Sequence, residues 1–192
     1  MSTRGLLVAL ALATSGVAAC GDDGRALAPA PSTTTSTAPA ATTSELTTMR
    51  LASVEIAEGA TIDPRLTCDG ANEPPRLVIT GAPPSAAELA VAMVDLDAEG
   101  YVHWVVSGLP AGTDVIDPAS LPDAATVARA SSGVIGWDGP CPPPDDPPHR
   151  YELRAYALPE PSGIVAGEDG TEAVATLEAL AIERATLTAT YR

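Results

Sequence analysis

Prolines and glycines, 19 and 16 among 192 residues, cut this sequence into short pieces. Between the cuts the side chains alternate. In RYELRAYAL (150–158), Tyr151, Leu153, Ala155 and Ala157 fall on one face, and Arg150, Glu152, Arg154 and Tyr156 on the other. ATLTATY (185–191) sets Leu187, Ala189 and Tyr191 against three threonines. LASVEIA (51–57), RLVIT (76–80), ELAVAMVDL (88–96) and YVHWVVSGL (101–109) are further short β-type runs. Period-two runs separated by Pro and Gly clusters predict an antiparallel sandwich or barrel. One helix is expected, over 171–183. There Val174, Leu177, Leu180 and Ala181 recur at helical spacing behind a Thr171 cap. DGANEPP (69–75) and GPCPPPDDPPH (139–149) are expected to be irregular. A proline-rich stretch of that kind leading to a histidine is more often functional than decorative.

Charge narrows the chemistry. Asp and Glu total 25 against ten basic residues, for a net charge of −15. Every basic residue is arginine. Without lysine there is no Schiff base, no lysine general base and no P-loop. The acidity argues against nucleic acid as a partner, and against electrostatic adhesion to anionic lipid. With no Phe, the core is expected from Val, Leu, Ile and Ala, with two Trp and four Tyr in selected places.

The first residues, MSTRGLLVALALATSGVAAC, combine one arginine, a short apolar run and small residues before Cys20. The run is too short to span a bilayer well. The pattern resembles the lipobox of bacterial lipoproteins. That resemblance implies a signal peptide over 1–19, cleavage before Cys20, and a membrane anchor through a diacylglyceryl thioether on its sulfur. The alternative is an ordinary secretory peptide that leaves Cys20 free. Either way the mature chain lies outside the cytoplasm. Residues 20–48 are rich in Ser, Thr, Ala and Pro, almost uncharged beyond residue 25, and aperiodic. Such a segment cannot bury enough apolar surface to order itself and reads as a tether. Its reach is roughly 25–30 Å. The folded domain is expected over 49–192.

DLDAEGYVHWVV (95–106) holds acids just before one of only two histidines. It begins like an EF-hand loop, but the twelfth position is Val106, where calcium needs a bidentate Glu. Asp95, His103 and His149 match a two-His, one-carboxylate metal set in type, without local spacing that forces them together. No GxSxG elbow is present, and Cys141 beside His149 is the nearest thing to an activated nucleophile. The bland alternative is a core histidine and a strand-end carboxylate.

Three ordered segments add to this: TCDGANEPPRLVITGAP (67–83), VDLDAEGYVHWVVSGLPAG (94–112) and GWDGPCPPPDDPPHRYELRAYAL (136–158). Together they resemble the phosphatidylethanolamine-binding protein family, in its bacterial Raf-kinase-inhibitor-like branch. The resemblance implies a mainly β sandwich of two antiparallel sheets, with one or two short helices near the C-terminus. It also implies a small anion pocket for phosphate, phosphoethanolamine or a similar zwitterion. Its residues here would be Asp95, His103, His149 and Tyr151, with Trp104, Gly139, Cys141 and Pro142 as walls. No catalytic residue, metal or cofactor is expected. The alternatives are a regulator acting on a secreted protease or other extracytoplasmic partner of unknown identity, and a hydrolase using His103 and His149. Leu96, Glu99 and Glu73 depart from the family pattern and bear on the pocket mouth. Asp97 is expected to anchor a turn. Cys68 and Cys141 fall in two of the segments; an extracytoplasmic location favours their pairing, and two buried thiols are the alternative. The exclusively arginine basic set and the high alanine content suit a GC-rich, actinobacterial genome.

Overall fold

A computed structural model describes residues 48–192. The expected signal peptide, Cys20 and nearly all of the expected tether lie outside the described residues. Two antiparallel sheets form a sandwich. The smaller has the order β1–β2–β5, from Arg50–Ser53, Leu77–Thr80 and Val115–Ile116. The larger has the order β6–β4–β3–β7–β8, from Thr126–Val127, Val102–Pro110, Glu88–Asp95, His149–Leu158 and Glu183–Tyr191. A short 3-10 turn, Pro64–Leu66, and one helix, α1 (Gly170–Leu180), complete the regular structure.

Strand β3 shows how the sequence divides the interior. All eight of its residues are buried, because both faces are covered. Leu89, Val91 and Met93 enter the core between the sheets, with Leu51, Leu77, Ile79 and Ile116 opposite. Ala90, Ala92 and Val94 point the other way, towards Ala173 and Leu177 of α1. Large side chains fill the space between sheets, and small ones let the helix lie close. The same helix covers Tyr156, whose hydroxyl donates to Glu178 Oε1 at 2.8 Å.

Three expectations about element bounds need correction. The helix starts earlier and ends earlier than 171–183. Asp169, not Thr171, is its cap, accepting from the main-chain N–H groups of Thr171 and Glu172 at 2.9 and 3.3 Å. It stops at Leu180 because Glu183 is taken by β8, where it pairs with Ala157. The first strand ends at Ser53 rather than running to 57, since Ser53 Oγ caps a turn by accepting from Glu55 N. The two-residue strands β5 and β6 are too short to carry a period-two signal.

Candidate functional site

Four side chains named from the sequence meet at one end of the large sheet. Asp95 is the last residue of β3, His149 the first of β7, and Tyr151 follows two positions later. Asp95 and Tyr151 are cross-strand partners. His103 is placed by a bulge. Met93 pairs with Trp104 and Val94 with Val102, so His103 is an extra residue on β4. A bulge re-aims a side chain out of the regular alternation, and here it turns the imidazole towards β7.

The outer wall is a clamped pair of irregular segments. Cys68 and Cys141 form a disulfide. Around it Cys68 N–H donates to Pro140 O at 3.1 Å, Gly139 N–H to Asn72 Oδ1 at 2.9 Å, and Trp137 Nε1–H to Leu66 O at 3.1 Å. Gly139 has to be glycine: a Cβ there would collide with Asn72 Oδ1 and the Leu66 carbonyl. The backbone thus brings the 136–143 segment close to β4, where Asp138 N–H donates to His103 O at 3.0 Å.

These elements enclose a cavity of about 230 Å³. Asp95, His103, His149 and Tyr151 line it, with Gly139, Cys141 and Pro142. Trp104 does not, which corrects the expectation. One residue past the bulge, it falls in the sandwich core and packs edge-on against Trp137 at 5.7 Å. Tyr101 and Asp138 were missed and do line the cavity. The Tyr101 hydroxyl donates to Asp138 Oδ2 at 3.0 Å, and its ring lies 4.8 Å from that of His103. Their signals were available: Tyr101 stands two positions before His103, and Asp138 lies inside the third quoted segment. None of Leu96, Glu99 and Glu73 lines the cavity. Glu99 and Glu73 point to solvent, and Glu73 lies 3.7 Å from Arg65. Asp97 anchors the loop as expected, accepting from the main chain and guanidinium of Arg150. That partner holds its carboxyl down at about 2.

The polar groups inside are unequally satisfied. Asp95 Oδ1 accepts from Asp97 N at 2.8 Å, and Oδ2 from His149 Nδ1 at 2.7 Å. The hydrogen bond to Asp95 raises the His149 pKa above its usual value, and Asp146 Oδ2, 3.5 Å from Nε2, adds to it. His103 behaves oppositely: burial lowers it, with Asp138 and Asp95 pulling back. Burial pushes the Tyr151 phenol up, and the Asp95 carboxylate, which its hydroxyl approaches without reaching hydrogen-bond geometry, adds to it. His103 Nε2 and the Tyr151 hydroxyl are buried without any hydrogen-bond partner in the protein. Asp95 and His149 are bonded to each other, and no group of three or more His, Cys, Asp or Glu among the described residues is arranged to hold a metal ion.

Against this geometry the comparisons with known proteins agree. A family model described as phosphatidylethanolamine-binding protein matches residues 52–192. A protein of Mycobacterium tuberculosis, whose name LppC labels it a lipoprotein, is 35% identical, covering 100% of this chain and 94% of its own length. The crystal structure of YbcL from Escherichia coli, titled a member of the mammalian family of that kind, superposes with a TM-score of 0.71 at 29% identity. It covers 75% of this chain and 98% of its own. A Chlamydia trachomatis homologue, CT736, gives 0.67 at 25% identity, over 76% and 98%.

Proposed function

This chain belongs to the phosphatidylethanolamine-binding protein family, and on that premise we propose that it is an envelope-anchored binding protein. Its ligand is a small phosphorylated or zwitterionic molecule of the phosphate or phosphoethanolamine type, held in the Asp95, His103, His149 and Tyr151 cavity. The observation that carries this is the pair of unpartnered buried atoms, His103 Nε2 and Tyr151 Oη, on the wall of one cavity. Leaving a buried polar group unpaired costs about 1–3 kcal/mol, so folded proteins rarely keep two side by side without a partner from outside. The cationic tendency of His149 suits an oxyanion, and the carboxylates on the cavity wall, Asp95 and Asp138, suit an ammonium.

The reading is of binding without turnover. The sulfur of Cys141, a candidate nucleophile, is committed to Cys68. The membrane anchor is read on Cys20, and the name of the mycobacterial relative favours it. The test is calorimetric titration of phosphoethanolamine into the wild-type chain and a His103→Ala/His149→Ala variant, in chelator. Saturable binding that weakens at least about tenfold in the variant is the expected result, with the ligand recovered intact. Absence of heat from a folded wild-type chain, or release of inorganic phosphate, would sink this reading.

A further inference from the structure

Hydrogen bonding inside the protein fixes which nitrogen of His103 carries its proton. Nδ1 lies 2.6 Å from the main-chain oxygen of Asp138. A carbonyl oxygen only accepts, so Nδ1 is the N–H. Burial favours the neutral ring, and the remaining lone pair then sits on Nε2. That atom is on the cavity wall with nothing bonded to it. It is an acceptor waiting for a donor.

The groups around it have different needs. The Tyr151 hydroxyl is unpartnered and can donate. His149, its Nδ1–H held by Asp95, supplies positive charge on the β7 side. No arginine lines the cavity, and the chain has no lysine. The charged or titratable groups facing His103 are Asp95 from β3, Tyr101 from the turn just before β4, His149 and Tyr151 from β7, and Asp138 from the outer wall. Two of these five are carboxylates, so a doubly charged guest is poorly matched.

A fully ionised oxyanion offers only acceptors. Against this wall it sets a negative oxygen on the Nε2 lone pair, which repels it. A singly protonated phosphomonoester offers one P–OH for Nε2, and anionic oxygens for Tyr151 and His149. We propose that the cavity selects the P–OH-bearing monoanion of a phosphomonoester over phosphodiesters and sulfate, with His103 Nε2 as the acceptor that reads the proton. This rests on the oxyanion-binding reading above and narrows it. Free phosphoethanolamine fits this description. The headgroup of an intact diester phospholipid, which has no P–OH near neutral pH, does not.

A phosphomonoester loses its second proton near pH 6; a diester and sulfate have no such proton to lose there. The full chain would therefore be titrated with phosphoethanolamine, glycerophosphoethanolamine and sulfate at about pH 5.5 and about pH 8. The expected result is phosphoethanolamine binding at the lower pH that weakens about tenfold or more at the higher. Glycerophosphoethanolamine and sulfate would bind at least about tenfold more weakly than phosphoethanolamine at the lower pH, since they leave Nε2 unmet. Diester binding as tight as monoester binding overturns the proton reading and leaves the oxyanion site standing. Silence from all three probes, with the chain folded by circular dichroism, overturns both. A second measurement needs no variant and no affinity. In the free chain the ¹⁵N resonances of His103 should report a protonated Nδ1 and a bare Nε2, with Nε2 shifting when phosphoethanolamine is added. A protonated Nε2 in the free chain overturns the proposal.

Discussion

Strand β3 carries a buried carboxylate at each end, and the two ends use the same device differently. At the start, Glu88 accepts from Gly108 N at 2.9 Å, Ser162 Oγ at 2.7 Å and Ser162 N at 2.9 Å. At the finish, Asp95 is bonded to His149 and stands among two unpartnered atoms. Both ends face a bulge in β4, one involving Gly108 and the other His103. Gly108 takes a positive φ of 71° and directs its N–H to Glu88; any Cβ there would strike the Ala124 carbonyl. The His103 bulge sends an imidazole into a cavity instead. One buried carboxylate closes the fold and the other lines a cavity. The count of unmet partners, rather than burial, tells them apart.

The largest expected effect tests what keeps the Asp95 end open. Cys68 and Cys141 are 73 residues apart, and chain entropy puts the disulfide at no more than about 4 kcal/mol. A Cys68→Ser/Cys141→Ser chain should lose several kcal/mol in urea unfolding and bind phosphoethanolamine more weakly. If stability drops while affinity holds, the Gly139–Asn72 and Trp137–Leu66 hydrogen bonds keep the wall in place by themselves. Glu88→Ala comes next. It strips three charge-assisted hydrogen bonds at the other end and should cost about 3 kcal/mol. Phosphoethanolamine affinity should stay within about twofold of wild type. A large affinity loss in Glu88→Ala would mean the two ends are coupled through β3, and the contrast between them would fail.

How much of this was legible in the sequence follows from the same contrast. Strands β7 and β8 were visible because their side chains alternate, and β3 and β4 as apolar runs of strand length between turn signals. β5 and β6 have two residues each and exist only through their partners. The pocket histidines and Asp95 were visible through the segments they sit in, and Gly139, Cys141 and Pro142 came with them. Trp104 came with the resemblance and was misassigned, because a bulge cannot be read from spacing: one extra residue at His103 reverses the side-chain alternation until the second bulge near Gly108. The tautomer of His103 was equally hidden. It depends on the Asp138 carbonyl, which arrives from 35 residues away. Glu88 drew no attention, since a lone carboxylate at a strand start looks like a solvent-facing end until Ser162 is folded onto it.

A smaller effect probes the two histidines against each other. Asp95→Asn should lower stability by about 1–2 kcal/mol and phosphoethanolamine affinity by about tenfold. Its signature is the pH dependence. Asp95 raises the His149 pKa, so the stability it contributes is complete below about pH 6.5 and is lost as pH climbs through the raised value. His103 has the opposite sign: burial lowers its pKa, and stability is lost as pH falls from about 6.5 towards that lower value. In wild type the two oppose each other. In Asp95→Asn only the weaker pull of Asp146 still raises His149, so the His103 effect dominates and melting temperature should fall more steeply between about pH 8 and about pH 5 than it does in wild type. Parallel curves would mean that Asp95 does not set the charge of His149.

The smallest effect separates the cavity from its surroundings. Glu99 is one of two non-glycine residues among those described with positive φ, at 51°. It departs from the family pattern beside the pocket segment, yet it points to solvent and does not line the cavity. Glycine tolerates that conformation, so Glu99→Gly removes backbone strain, offset by the greater freedom glycine has in the unfolded chain. The net change should be about 1 kcal/mol or less, and affinity for phosphoethanolamine should stay within about twofold. The negative charge is screened within about 10 Å at ordinary ionic strength. If Glu99→Gly instead strengthens binding severalfold at low salt and not at high salt, the carboxylate acts on the ligand from outside. The selectivity of the Asp95 end would then be shared between the cavity wall and the loop that leads out of it.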